Sequence, residues 1–217
     1  MPQATRWPLR ATLLLALASA LAGCSTAPTT STTAPTATAT PGAAQALQAL
    51  FDQSWEAAMR RDPGWATYVG DNRYGAQLDD ASPEAEAASY ATTRHELQAA
   101  RAINRSALDA KDRTSLDMFM YAAEDTLAFE PLVGYRRLSL GAQGGFHTML
   151  ASLLQASPAA TAAQAEQVLA RLAAYPKRVD QELANLRQGM ALGWVAAQPV
   201  LLRVLSTLDS QLAQPAD

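Results

Sequence analysis

The chain contains two histidines, His95 and His147, and histidine is the side chain that most often acts as an acid, a base or a metal ligand near neutral pH. His95-Glu96 matches the start of the His-Glu-x-x-His helix that holds zinc in metallopeptidases. That helix needs a second histidine one turn later, and position 99 is Ala99. We therefore interpret His95 as a helix-surface residue and predict no metal site and no cofactor in this chain.

His147 follows the glycine-rich segment Gly144-Gly145-Phe146. Loop side chains on a rigid scaffold often face a ligand, so His147 is the candidate substrate-facing residue. The sequence offers it no cysteine, second histidine or evident carboxylate partner of the kind that a catalytic triad requires. We therefore predict no catalytic residue, and a capping or packing role is the alternative for His147.

The remaining charged and aromatic motifs favour structural roles. Asp79-Asp80 and Glu124-Asp125 are adjacent pairs whose side chains would diverge on a helix, so we expect solvated surface. Arg136-Arg137 follows Gly134 and offers guanidinium groups suited to a carboxylate or a phosphate. Four aromatic residues are expected to pack as a corner between the first two helices: Trp55, Trp65, Tyr68 and Tyr74.

The single cysteine, Cys24, lies at the end of an apolar run that begins at Ala11 and follows Arg6 and Arg10. The run is too short to span a bilayer and is typical of a signal peptide. The residues Leu21–Cys24 resemble the lipobox, in which the cysteine is acylated and becomes the new N-terminus. We predict a lipoprotein signal peptide over residues 1–23 and lipidation at Cys24, the alternative being an ordinary secretory signal followed by a free cysteine.

Lipidation at Cys24 predicts where the protein is found. Two or three acyl chains hold a protein at a membrane surface, so the membrane is a predicted partner. The protein is expected to be exported and anchored in the bacterial envelope. Ser25, rather than an aspartate after the cysteine, favours the outer membrane over the inner one. With its cysteine acylated, the chain would have no disulfide and no thiolate for chemistry.

Composition separates a tether from a helical body. Residues 24–42 consist of the cysteine followed almost entirely by Ser, Thr, Ala and Pro, which predicts a disordered tether. The formal net charge is −3, which gives no indication of nucleic-acid binding. Abundant alanine and 49% hydrophobic residues favour an all-α fold, so residues 43–217 are predicted to form a helical domain.

Capping and breaking residues set the expected helices. Ser82-Pro83-Glu84 is a strong helix start, and Thr161 with Gln164 has the spacing of a capping box. The first helix is predicted to end at Asp62-Pro63, and Asp62 is predicted to cap a short helical turn that begins at Pro63. Further helices are predicted over about 82–104, 112–129 and 147–155, followed by a helix from Thr161, a restart at Pro176, a stop at Gly193 and a last helix from Pro199. The apolar positions Val179, Leu183, Leu186 and Met190 are expected to share one helix face.

The residues Asp62–Tyr74 resemble the early segment of a bacterial family named domain of unknown function 885. The helix start at Leu78–Glu84, the segment Gly144–His147 and the stretch from Leu169 to Pro199 follow in that family's order. The resemblance implies a mostly helical protein related to zinc metallopeptidases, whose zinc ligands lie in a C-terminal half. Zinc is thus implied for a complete family member, while residues 43–217 contain no ligand motif and are expected to be an incomplete, N-terminal part.

The sequence therefore supports two functional hypotheses. The first is a lipid-anchored, non-catalytic segment of a zinc-metallopeptidase-like protein, forming a wall or lid of its cleft. Its expected partners are a peptide substrate or a C-terminal catalytic part. The second is a self-sufficient envelope lipoprotein that binds or scaffolds a partner.

Overall fold

The computed structural model describes residues 41–213, which form an all-α fold, as the composition predicts. Within this range the sole β pairing is an isolated bridge between Leu140 and Gly145. Eight helices and two 3₁₀ turns follow one another: α1 (Pro41–Arg61), α2 (Pro63–Tyr68), a turn at Asn72–Tyr74, α3 (Pro83–Ala102), a turn at Arg105–Ala107, α4 (Ala110–Ala128), α5 (Val133–Arg136), α6 (Phe146–Ala156), α7 (Ala162–Ala191) and α8 (Gln198–Leu212).

The helices α1, α3 and α4 pack together around the main apolar core. This core contains five buried residues: Leu47, Leu50, Ala100, Leu108 and Leu116. The rings of Phe51 and Phe119 close one side, with their centroids 5.5 Å apart. Each fully buried leucine contributes on the order of 2 kcal/mol of hydrophobic free energy, so this layer is held together by apolar packing.

The predicted helix starts are confirmed by their capping hydrogen bonds. Asp62 accepts a hydrogen bond from the Trp65 backbone N–H at 2.8 Å. Ser82 accepts one from the Ala85 N–H at 3.2 Å, which fixes the beginning of α3. Thr161 and Gln164 form both hydrogen bonds of a capping box at the beginning of α7. Each cap satisfies an N–H group that a helix terminus leaves without an intrahelical partner.

The predicted restart at Pro176 is wrong, because α7 runs without interruption through it. An interior proline costs about 3 kcal/mol or more in a helix. Side chains before and after Pro176 nevertheless bind the same neighbouring segment, Gln77–Ala81, with Arg171 on one side of the proline and Asn185 on the other. These contacts keep both halves of α7 on one axis.

The first helix begins at Pro41, so the predicted tether is two residues too long at its C-terminal end. The predicted signal peptide and Cys24 lie outside the described residues. The predicted stop at Gly193 is confirmed: α7 ends at Ala191, and Gly193 has φ = 76°, a left-handed conformation that favours glycine. None of the described helices is long and apolar enough to cross a membrane.

The predicted aromatic corner is also wrong. Trp55, Trp65 and Tyr68 are each at least 50% exposed. The reason is that α2 buries the side chains of Pro63, Ala66 and Thr67 instead, and the backbone of Pro63 and the hydroxyl of Thr67 contact a buried arginine of α7. The two α2 aromatics therefore point away from the packed side of the helix.

Candidate functional site

An open apolar groove of about 780 Å³ lies between α6, α7 and α8. Its lining is almost entirely aliphatic and aromatic and includes no Asp, Glu, Lys or Arg. The lining residues are Leu140, Phe146, His147, Leu150, Ala151, Leu154, Tyr175, Val179, Leu183, Leu186, Leu201, Val204, Leu205, Leu208 and Gln211. Concave apolar sites with a few polar groups are the usual form of a ligand-binding site, so this groove is the candidate functional site.

His147 lies in the first turn of α6 and lines this groove. The tight loop before it depends on Gly145, which has φ = 155°; a Cβ atom there would lie 2.6 Å from the Ser139 carbonyl oxygen. The Nδ1 atom of His147 is buried and has no hydrogen-bond partner among the described residues. The groove location is compatible with the predicted substrate-facing role, which stays a prediction.

Tyr175 links two of the helices that line the groove, α6 and α7. Its hydroxyl donates a hydrogen bond to the Phe146 carbonyl oxygen at 2.8 Å, which attaches the beginning of α6 to α7. Burial raises the pKa of Tyr175, so the hydroxyl keeps its proton at neutral pH and remains a donor. This hydrogen bond holds His147, the next residue along α6, beside α7.

On an adjacent face, α7 carries a stripe of buried polar side chains that the sequence reasoning did not identify. Arg171 is 0% exposed and has no carboxylate partner within residues 41–213. Burial lowers the pKa of Arg171, because the guanidinium loses its water. Five oxygen atoms take the place of that water: the carbonyls of Pro63, Tyr74 and Gln77 and the hydroxyls of Thr67 and Ser157.

The same stripe continues two turns later with Arg178, which bonds to Glu182 at 2.6 Å and to Asp79 at 3.1 Å. Burial alone would lower the pKa of Arg178, but the two carboxylates outweigh it and the pKa lies above its ordinary value. The expectation that Asp79 is a solvated surface residue is therefore wrong for this member of its pair. Asn185 then donates to the Ala81 carbonyl at 2.8 Å.

Arg136 and Arg137 bind a carboxylate, as their pairing suggests, but it belongs to Glu86 within the same chain. The shortest distances are 2.7 Å from Arg136 and 2.8 Å from Arg137. Burial alone would raise the pKa of Glu86, whereas the hydrogen bonds and charges of the two arginines hold it below its ordinary value. This cluster ties α3 to α5 and to Gln188 of α7, which accepts a hydrogen bond from Arg137.

The described residues do not fit a zinc ion. His95 is exposed on α3, as expected, and residues 41–213 contain no group of three His, Cys, Asp or Glu side chains able to hold a metal. The other groove-lining residues around His147 include no carboxylate or thiol. Glu124 likewise lies on the surface, where it pairs with Arg101 at 2.7 Å.

Comparison with known protein families accounts for the order of these motifs. The sequence profile of the family described as "Bacterial protein of unknown function (DUF885)" matches residues 63–217. The chain belongs to this family. No curated protein matches the chain. Family membership confirms the resemblance that the motifs from Asp62 onward indicate, and it brings no established activity with it.

The buried stripe of α7 had a signal in the sequence. Arg171, Arg178, Glu182 and Asn185 are separated by seven, four and three residues, the periodicity of one helix face. The apolar stripe with the same periodicity drew attention first, because apolar faces are usually the buried ones. In the structure Leu183 and Met190 of that apolar stripe are exposed.

Proposed function

We propose that this chain is the lipid-anchored, N-terminal helical part of a zinc-metallopeptidase-like protein of the bacterial envelope. In this proposal it contributes one wall of the cleft and supplies no zinc ligand. The observation that carries it is the open apolar groove between α6, α7 and α8. A self-contained helical domain of this size would be expected to cover such a surface, and large exposed apolar patches mark interaction sites.

His147 has a defined place in the proposal. It contacts substrate or the facing wall of the cleft, because its loop and the hydrogen bond of Tyr175 hold it at the edge of the groove. Zinc and the groups that activate water would come from the C-terminal catalytic part. No reaction step is assigned to this chain, because its described donors do not fit the metal.

Lipid anchoring is tested at Cys24. Cells that produce the full chain are labelled with palmitate, and the membrane and soluble fractions are compared between the wild type and Cys24→Ser. We expect label and membrane association in the wild type and the loss of both in the variant. A wild-type chain that carries no label, or a variant that remains on the membrane to the same extent, would refute the anchor.

The source of the catalytic part is tested by mass. The native protein is captured from membranes of the producing cells with an antibody against the segment Asp71–Pro83, and its intact mass is measured. We expect a mass well above that of residues 24–217 plus lipid, or a second chain that co-purifies. A lone chain of that mass that binds one zinc ion tightly would contradict both the proposal and the interpretation of His95 and His147.

The second candidate function is a self-sufficient, non-catalytic lipoprotein that binds or scaffolds an envelope partner. The closed apolar core of α1, α3 and α4 favours it, because this layer buries its leucines without help from another chain. A monomeric product of the short mass with one sharp thermal transition would support this alternative.

A further inference from the structure

The groove is part of a longer apolar surface. A second hollow of about 280 Å³ adjoins it and shares Leu140, Leu186 and Leu201 with it. From Tyr175 to Met190, fifteen positions along α7, the two hollows extend for about 22 Å, which is about four helical turns. The shape is therefore long and narrow rather than a pocket for a compact ligand.

The lining of the larger hollow has few hydrogen-bonding groups. His147, Tyr175 and Gln211 are its polar side chains, and the Tyr175 hydroxyl already donates to Phe146. An extended peptide has an N–H and a C=O group at every residue, and burial without partners is costly for each of them. A helix satisfies these groups internally, so it can bury apolar side chains against such a lining without that cost.

The walls also have the spacing that accepts a helix. The groove-lining residues of α7 include Val179, Leu183 and Leu186, and those of α8 include Leu201 and Leu205. These intervals of three and four residues form the ridges and grooves through which helices pack on each other. Several of these side chains have space to receive a neighbour: Leu183 is 37% exposed and Leu205 is 56% exposed.

The lack of charge in the lining further limits the kind of segment that can occupy the groove. The lining of the larger hollow contains no Asp, Glu, Lys or Arg, and neither does any position of α6. The smaller hollow is lined by one charged residue, Arg137, which is already paired with Glu86. A charged side chain that entered the groove would lose its water without gaining an ion-pair partner. The complementary surface is therefore an uncharged aliphatic stripe, and charge depletion of this kind is typical of permanent interfaces rather than electrostatically steered ones.

We propose that this groove is the seat of an amphipathic α-helix whose leucine-rich stripe packs between α7 and α8, and that the C-terminal part proposed above supplies it. The inference rests on the proposed function for the source of the helix. It differs from a function in which the groove itself binds the substrate. In the present proposal the groove holds the N-terminal and C-terminal parts together and does not bind the substrate backbone.

The test uses the full 217-residue chain, produced on its own so that no C-terminal part occupies the groove, and a fluorescein-labelled synthetic peptide of about 18 residues, five helical turns. The peptide has leucine at the positions of one stripe and Glu or Lys elsewhere, and binding is followed by fluorescence anisotropy and by the gain of helical circular dichroism. A second peptide has the same composition with the leucines spread over all faces. We expect the stripe peptide to bind and to become helical, and the second peptide to bind at least about tenfold more weakly.

Two variants and a matched control locate the binding surface. Leu183→Asp in α7 and Leu205→Asp in α8 should each weaken binding at least about tenfold, because each would bury a charge under the peptide. Leu169→Asp makes the same change in α7 at a leucine that is 63% exposed and does not line the groove. This control should change binding by less than about twofold.

Other outcomes would overturn the proposal. Equal binding of a version of the stripe peptide with two central prolines would mean that the occupant is extended. A dimer that Leu183→Asp dissociates, with no peptide binding, would mean that the occupant is a second copy. Equal weakening by Leu169→Asp and Leu183→Asp would mean that the peptide does not bind in the groove. A wild-type chain that carries no palmitate label refutes the anchor but leaves this test unaffected, so the two failures are distinguishable.

Discussion

The layer formed by α1, α3 and α4 and the long helix α7 bury opposite kinds of side chain. The first buries leucine and alanine, whereas the fully or nearly fully buried side chains of α7 are Arg171, Arg178, Glu182 and Asn185. In the first region these leucines and alanines form the core. In the second, directional hydrogen bonds hold the helix in place, and its leucines remain available at the surface. One chain can therefore combine a closed core with an open apolar groove.

A substitution should lower the free energy of unfolding by different amounts in the two regions. Apolar packing is adaptable, because neighbouring side chains shift to fill part of a cavity. A polar network is less tolerant, since removal of one donor leaves several buried acceptors without a partner. Arg171 alone connects α2, the turn at Asn72–Tyr74, the segment at Gln77 and the end of α6. The largest effects are therefore expected in the polar region.

The largest expected effect is that of Arg171→Met. Methionine keeps an unbranched, mostly apolar stem, although a shorter one, and removes every donor, which leaves three carbonyls and two hydroxyls of the network without this partner. We expect a loss of about 3–5 kcal/mol in the free energy of unfolding, measured by urea denaturation. Arg101→Met removes an arginine from an exposed pair with Glu124 and should cost less than about 1 kcal/mol. Similar losses in both variants would show that the buried network of α7 contributes no more to stability than an exposed ion pair does.

The next effect compares two leucines. Leu116 is 1% exposed in the core of the first region, and Leu116→Ala should cost about 3 kcal/mol through lost burial and a residual cavity. Leu205 in α8 is 56% exposed, and Leu205→Ala should change the free energy of unfolding by less than about 0.5 kcal/mol. A substantial loss in Leu205→Ala, measured by the same denaturation, would mean that another surface covers α8 in the isolated protein and would contradict the open groove.

The sequence predicted the local features of this fold better than its tertiary features. The caps at Asp62, Ser82 and Thr161 depend on residues within three or four positions of one another, and all three predictions are confirmed. The continuity of α7 through Pro176 depends instead on contacts between α7 and the segment near residue 80. A proline rule that uses only neighbouring residues has no access to those contacts.

The candidate site shows the same limit. The sequence singled out His147 from the loop before it, and His147 lines the groove. The sequence did not indicate that leucines of α7 and α8 would be the exposed residues and arginines the buried ones. Periodicity gives the angle between two stripes on a helix, but the stripe that faces the rest of the protein depends on its partners, here Asp79 and backbone carbonyls.

A smaller effect is expected at Gly134 in α5, which packs against the ring of Trp194. A Cβ atom on Gly134 would lie 2.1 Å from Cδ1 of the Trp194 ring, so Gly134→Ala must displace the indole from the connection between α7 and α8. We expect a loss of about 2 kcal/mol and a shift in tryptophan fluorescence. Gly42→Ala in α1 is the control, because no atom of the described part of the chain lies within 4 Å of the added Cβ. A control as destabilised as the variant would mean that the Trp194 contact is unimportant.

The smallest effect concerns the carboxylate that joins the two regions, Glu86. Its pKa is held below the ordinary value of 4.5, so it contributes stability that is fully present above that pH and is lost as the pH falls through the lowered pKa. Glu86→Gln should cost about 1–2 kcal/mol at pH 7, because Arg137 stays buried without a negative partner. The urea midpoints of variant and wild type should converge as the pH falls below 4.5 and Glu86 becomes protonated. Glu84→Gln, at an exposed position in the same turn of α3, should cost at most about 0.5 kcal/mol at pH 7.

If the Glu86→Gln difference persisted undiminished in acid, the stabilisation by Glu86 would not come from its charge. The link between α3, α5 and α7 would then depend on the shape of the side chain rather than on the ion pairs with Arg136 and Arg137.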